Sequence, residues 1–201
     1  CASALAAPAA TDETAPSEIV IEVPQTPTPS SAPQAARQST AFTLGTDQPR
    51  TPEQLAVRLD KADLSIKVIP ADKAIDAVAV LDFTATAPVS SLVVELDTLL
   101  TISEIAVDGQ VIPAGVWTNP EGRLTVPMGK TLQPGQTTSL RVAYGGQPRV
   151  APRAPWDGGF QWATTVDGKP WVATAVQPEG CDLFWPCIDH PLAEPGRVDL
   201  H

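Results

Sequence analysis

From Val57 onward, apolar and polar residues alternate with a period of two. Leu64-Ser65-Ile66-Lys67-Val68 puts its apolar side chains on one face, the pattern of a half-buried strand. Ala77-Val78-Ala79-Val80-Leu81-Asp82-Phe83 is apolar on both faces for most of its length, which predicts a central strand. Leu92-Val93-Val94-Glu95-Leu96 and the stretch from Ile102 to Val107 continue the series. Asp108-Gly109 then separates that strand from Val111-Ile112, a hairpin signal because both turn residues tolerate positive φ. Asn119-Pro120-Glu121-Gly122 marks the next turn, before Arg123-Leu124-Thr125-Val126. Pro134-Gly135 is another, before the clean alternation from Thr138 to Tyr144. Thr51-Pro52-Glu53-Gln54-Leu55 opens at most one helical turn, and no segment carries a longer helical period. Short strands split by Gly and Pro turns at roughly ten-residue spacing predict an all-β fold, an antiparallel sandwich or a saddle-shaped sheet.

Residues 1–52 break this pattern. The stretch from Cys1 to Ala41 has no aromatic residue and consists largely of Ala, Pro, Ser, Thr and Gln. Such a segment buries too little apolar surface to offset its ordering entropy, so 1–52 reads as a disordered tail or tether before a domain at 53–201. Ile19-Val20-Ile21 with Val23 is the exception, a sticky island or an added edge strand. The chain begins with Cys, and two readings compete for it. Cys1 is the lipidated first residue of a bacterial lipoprotein, or Ala4-Leu5-Ala6 is the cleavage site of a signal peptide. Both place the protein outside the cytoplasm, in the periplasm or on the outer membrane.

Charge narrows the partners. Lys and Arg number 13 and Asp and Glu 23, a formal net charge of −10. That balance argues against nucleic acid, whose phosphates are bound by Lys and Arg, and against a basic patch on anionic lipid. Membrane contact is then expected only through a lipid on Cys1. His190 and His201 are the only histidines, too few for most zinc hydrolase sites to be complete within the chain. There is no Gly-x-Ser-x-Gly elbow, no His-Glu-x-x-His and no Gly-rich phosphate loop. No catalytic residue, metal ligand or bound cofactor is assigned to these residues.

Seven of the ten aromatic residues fall between Tyr144 and Trp185, interleaved with Gly and Pro. They read as a loop-rich layer whose rings fill space that strands do not, or as a recognition surface. Cys181 and Cys187 flank Asp182-Leu183-Phe184-Trp185-Pro186, with His190 beyond. Two buried thiols beside large rings is the plainest reading; a disulfide and a zinc site remain open. Asp182 and Asp189 near Glu179 form a conceivable acid/base pair, although carboxylates are numerous throughout the chain.

The stretch from Gln177 to Pro191 resembles a signature of the aminopeptidase N and leukotriene hydrolase family of zinc metallopeptidases. In that family a Gln precedes a Pro-Cys-x-Asp-x-Pro element, here Pro186-Cys187-Ile188-Asp189-His190-Pro191. Ala62–Val68 is similar to the family's opening strand, and Tyr144-Gly145-Gly146 to its strand-end Tyr-x-Gly. The resemblance covers roughly Val57 to His201. Two departures stand inside it: Pro178 follows Gln177, and Asp182 replaces a frequent Arg.

The resemblance implies the N-terminal β domain of an exported metallo-aminopeptidase, with Arg197–His201 opening a strand cut short. It implies that zinc, and the Glu that activates its water, belong to a following catalytic domain absent from this chain. It implies that Gln177 lies at the rim of the substrate cleft and helps hold the N-terminal residue of a peptide. An amide offers a donor and an acceptor without adding charge beside the amine. The implied partners are a peptide substrate, through the parent enzyme, and the catalytic domain itself. The competing reading is a stand-alone β-sandwich module whose Trp-rich loops take a carbohydrate or protein partner.

Overall fold

The computed structural model describes residues 38–177 and 179–201. Cys1, the Ile19–Val23 island and the rest of 1–37 lie outside the described residues, as does Pro178. The one helical turn forms as expected, as α1 (Pro52–Leu55). Thr51 caps it, accepting from Gln54 N while donating its own N–H to Gln54 Oε1 at 2.8 Å.

Ten strands follow: β1 (Val57–Ile69), β2 (Ala74–Ala85), β3 (Val89–Glu95), β4 (Thr101–Val107), β5 (Gln110–Val111), β6 (Arg123–Leu132), β7 (Thr137–Gly146), β8 (Gly159–Thr164), β9 (Pro170–Ala175) and β10 (Arg197–Leu200). The fold is all-β. One six-stranded sheet runs β10-β1-β2-β7-β4-β5, while β3 pairs with β6 and β8 with β9. Pairing is antiparallel except at the edge, where β10 lies parallel to β1. The strand that opens at Arg197 has a partner in β1.

Alternation puts Ile75, Ala77, Ala79, Leu81 and Phe83 of β2 on one face, beside Leu140, Val142 and Tyr144 of β7. The β3–β6 ladder covers this face with Leu92, Val94, Leu124 and Val126, and all join one hydrophobic cluster. β2 is central, as its sequence implies, but Val78 and Val80 on its other face are only half-buried. β1 shows how register is set. Its buried residues are Val57 and Leu59, then Ala62 and Leu64, because a bulge between Leu59 and Lys61 inserts Asp60 and reverses the parity. The Asp108-Gly109 turn forms with φ of 50° and 77°, which matches the twist of the strands it joins.

Two expectations need correction. The aromatic region is not loop throughout: β8 and β9 form a regular hairpin from Gly159 to Ala175, flanked by irregular chain that carries Trp156, Phe184 and Trp185. The hairpin's Gly and Pro residues lie at the strand ends and in the turn, where they break no ladder hydrogen bond. The tail boundary also shifts, because residues 38–50 lie against the body. Thr43 is buried and donates its hydroxyl to Asp97 Oδ2 at 2.9 Å. Phe42 sits under the Arg123 guanidinium at 4.5 Å.

Candidate functional site

Gln177 follows β9 by two residues, and its side chain is exposed. Nearby, Glu179 turns inward. Its carboxylate accepts from Gly158 N–H at 2.5 Å and from Arg149 Nη2 at 3.3 Å. Arg149 Nε donates in turn to Gly158 O at 2.9 Å. One ion pair thus ties three pieces of chain together, and the buried carboxylate keeps its counter-charge. Gly158 is required there: a Cβ would come within 2.8 Å of Glu179 Oε2. Sequence reasoning missed both Arg149 and Gly158, because the contact joins segments that carry no common motif.

The next segment, Cys181 to His190, is held at several points. Cys181 and Cys187 are joined by a disulfide, with Cα atoms 6.2 Å apart. This corrects the reading of two free thiols; the short loop contains a 3-10 turn, Cys181–Leu183, which doubles the chain back far enough to be bridged. Cys187 exchanges backbone hydrogen bonds with Glu95 at the end of β3, at 2.6 and 3.0 Å. Asp97 N–H donates to Asp182 O at 3.0 Å, and the Tyr144 hydroxyl donates to Phe184 O at 3.0 Å. Burial pushes the Tyr144 hydroxyl well above the usual phenol range.

Carboxylates gather where this loop meets β3. Glu95, Asp97 and Asp182 are buried and Asp189 is half-buried. Glu95 accepts from Gln54 Nε2 at 2.6 Å and from Asp189 N–H at 3.1 Å. Asp97 caps the following turn by accepting from Leu99 N–H at 2.7 Å. Asp182 Oδ1 is buried without a hydrogen-bond partner. Burial first, and the charges of Asp189, Asp97 and Glu95 after it, raise the Asp182 carboxyl to about 8. Burial likewise raises Glu95, opposed by the hydrogen bonds from Gln54 and Asp189. Asp182 and Asp189, imagined as a pair, do meet in this cluster, whereas Glu179 belongs to the Arg149 pair.

The donor atoms of Cys181, Cys187 and Asp189 lie within 4.8 Å of one another, but both sulfurs are bound in the disulfide. His190 does not complete a set with them. Its Nδ1 accepts from Leu192 N–H at 3.1 Å and its Nε2 lies 3.2 Å from Asp47 Oδ1. His201 Nε2 lies 3.5 Å from Asp63 Oδ1. The residues present do not fit a catalytic zinc, which needs three converging ligands and an open position.

The aromatic residues divide between two roles. Phe160 stacks on Trp162 with centroids 5.3 Å apart and meets Phe184 at 5.4 Å, a packing layer beneath the hairpin. Trp156 and Trp171 point outward, 72% and 45% exposed, with Val150 and Val176 also exposed. Val176 adjoins Gln177 directly, so an apolar surface borders the exposed amide.

No protein-family profile and no curated protein sequence matches the chain. Solved structures do. An M1 zinc metallopeptidase from Deinococcus radiodurans superposes with a TM-score of 0.51 at 24% identity, over 68% of this chain and 30% of that one. A two-domain M1 zinc metallopeptidase mutant bound to L-tryptophan gives 0.53 at 23% identity, over 74% and 33%. A mutant of the Deinococcus radiodurans enzyme bound to a Tyr-Ser-Ala substrate matches over 68% and 30%, at 24% identity and a TM-score of 0.51. The expected resemblance is borne out at the level of the fold: this chain has the architecture of a β portion of M1 zinc metallopeptidases. It spans about a third of their length.

Proposed function

We propose that this chain is the N-terminal β domain of an exported zinc metallo-aminopeptidase, in which it walls one side of the peptide cleft. The observation that carries the reading is the placement of Gln177. Its amide is exposed at the surface, yet Glu179, two residues on, is fastened to Gly158 and Arg149. A side chain that must hold a substrate amine needs such a fixed base, because misplacement by an ångström is costly in rate. The shared fold with M1 zinc metallopeptidases supports the same reading. Within it, the zinc and its activating Glu come from a following domain, and this chain alone hydrolyses nothing. The exposed Trp156 and Trp171 face would pack on that domain. The domain takes in residues 38–50, whose Phe42 and Thr43 contact its body.

The test is Gln177→Ala in the parent enzyme. The variant should keep its melting temperature and lose about tenfold in kcat/KM on aminoacyl substrates, a transition-state loss of about 1.4 kcal/mol. Unchanged kinetics would remove Gln177 from the cleft. The second reading, a binding module for a carbohydrate or protein, draws on the exposure of Trp156 and Trp171. Trp156→Ala and Trp171→Ala distinguish the two: loss of a partner with peptidase activity retained favours the module.

A further inference from the structure

We propose that the Asp182 carboxyl is a proton-operated latch: while it holds its proton the Cys181–His190 loop stays closed on the end of β3, and its ionisation loosens that loop and the Gln177 segment joined to it. The latch stands on the cluster itself; only its consequence for Gln177 rests on the peptidase reading.

Four acidic side chains meet here from three places: Glu95 from β3, Asp97 just beyond it, and Asp182 and Asp189 from the loop. Each of the other three has protein donors. Glu95 has Gln54 and Asp189 N–H, Asp97 has Thr43 and Leu99 N–H, and Asp189 has Cys181 N–H at 3.3 Å. Asp182 is 2% exposed and its Oδ1 has none. It lines a cavity of about 10 Å³ together with Gln54, Glu95 and Asp189. That is room for about one water, which cannot replace a counter-ion.

The surroundings supply no compensating charge. Arg50 and His190 also border the cavity, but Arg50 Nη1 reaches Leu192 O and His190 Nε2 faces Asp47. Arg123, at the start of β6, acts on Glu95 only through space and lies over Phe42. Among the described residues no Lys, Arg or His is ion-paired with any of the four carboxylates. Nor do they converge on a metal. Among the described residues, the one set of three potential ligands within 4.8 Å of each other is Cys181, Cys187 and Asp189. A carboxyl in this setting stays neutral rather than adding another negative charge to the cluster. When it does ionise, repulsion acts across the contacts that close the loop: Asp97 N–H to Asp182 O, Asp189 N–H to Glu95, and the Cys187–Glu95 pair.

The experiment is a carbon-13 NMR titration of Asp side-chain carboxyls in the whole chain, with Asp182 assigned by Asp182→Asn. Amide exchange at Cys187 and Asp189 is followed alongside. The expected midpoint for Asp182 is near 8, with exchange above it faster in wild type than in Asp182→Asn. A midpoint below 5, or identical exchange in the two proteins, overturns the latch. If Asp182→Asn does not fold, Asp189→Asn serves: removing that charge should lower the Asp182 midpoint, and an unmoved midpoint is fatal to the proposal. Millimolar Ca²⁺ added to wild type should leave the midpoint in place; a downward shift of a unit or more would assign the cavity to a cation instead.

Discussion

Asp182 is the residue whose chemistry departs furthest from its type. Burial lifts its carboxyl to about 8, above the unfolded value near 4, so the folded chain keeps a proton that the unfolded chain has lost. Stability from this group is therefore intact below pH 4, falls as pH rises toward 8, and levels off above. Asp182→Asn should differ little from wild type in urea unfolding at pH 4.5 and should be the more stable protein at pH 8.5. An equal difference at both pH values would contradict this assignment. Tyr144 poses a simpler case. Tyr144→Phe removes the hydroxyl that satisfies Phe184 O in the core, and denaturation should show a loss of about 1–2 kcal/mol. The sequence set Asp182 beside Asp189, but not beside Glu95 and Asp97, which it meets only through the tertiary fold. Gln177 was singled out through the spacing of a family motif rather than through any physical pattern, and the structure shows it exposed just after β9.

Among elements, the strands of the large sheet follow their alternation closely, and the Asp108-Gly109 turn marks its hairpin correctly. The β1 bulge was hidden, because period-two reasoning cannot tell where a strand inserts a residue. The β8–β9 hairpin was hidden for another reason. Its strands are short, and their flanking Gly and Pro residues resemble those of loops. Within the Cys181–His190 loop the disulfide is the main covalent constraint. In the chain-entropy picture a loop this short contributes about 2 kcal/mol, so the Cys181→Ser, Cys187→Ser double variant should unfold at correspondingly lower denaturant. No change in midpoint would mean that the hydrogen bonds to Glu95 and Phe184 already hold the loop.

For the whole molecule, one hydrophobic cluster joins the six-stranded sheet to the β3–β6 ladder, and residues 38–50 pack against that unit. Limited proteolysis should therefore leave a resistant core that retains Phe42 and Thr43. Cleavage that proceeds into 45–50 without loss of the fold would separate that segment from the domain. Val150, Trp156, Trp171 and Val176 are each exposed, and the proposed function assigns such apolar surface to contact with a second domain. The most direct measurement is aminopeptidase activity of the uninterrupted reading frame that contains this chain, assayed with and without a zinc chelator and beside this chain alone. Chelator-sensitive release of N-terminal residues by the longer protein, with none from this chain, is the predicted result. A longer protein that binds no zinc and releases no residue would contradict the account.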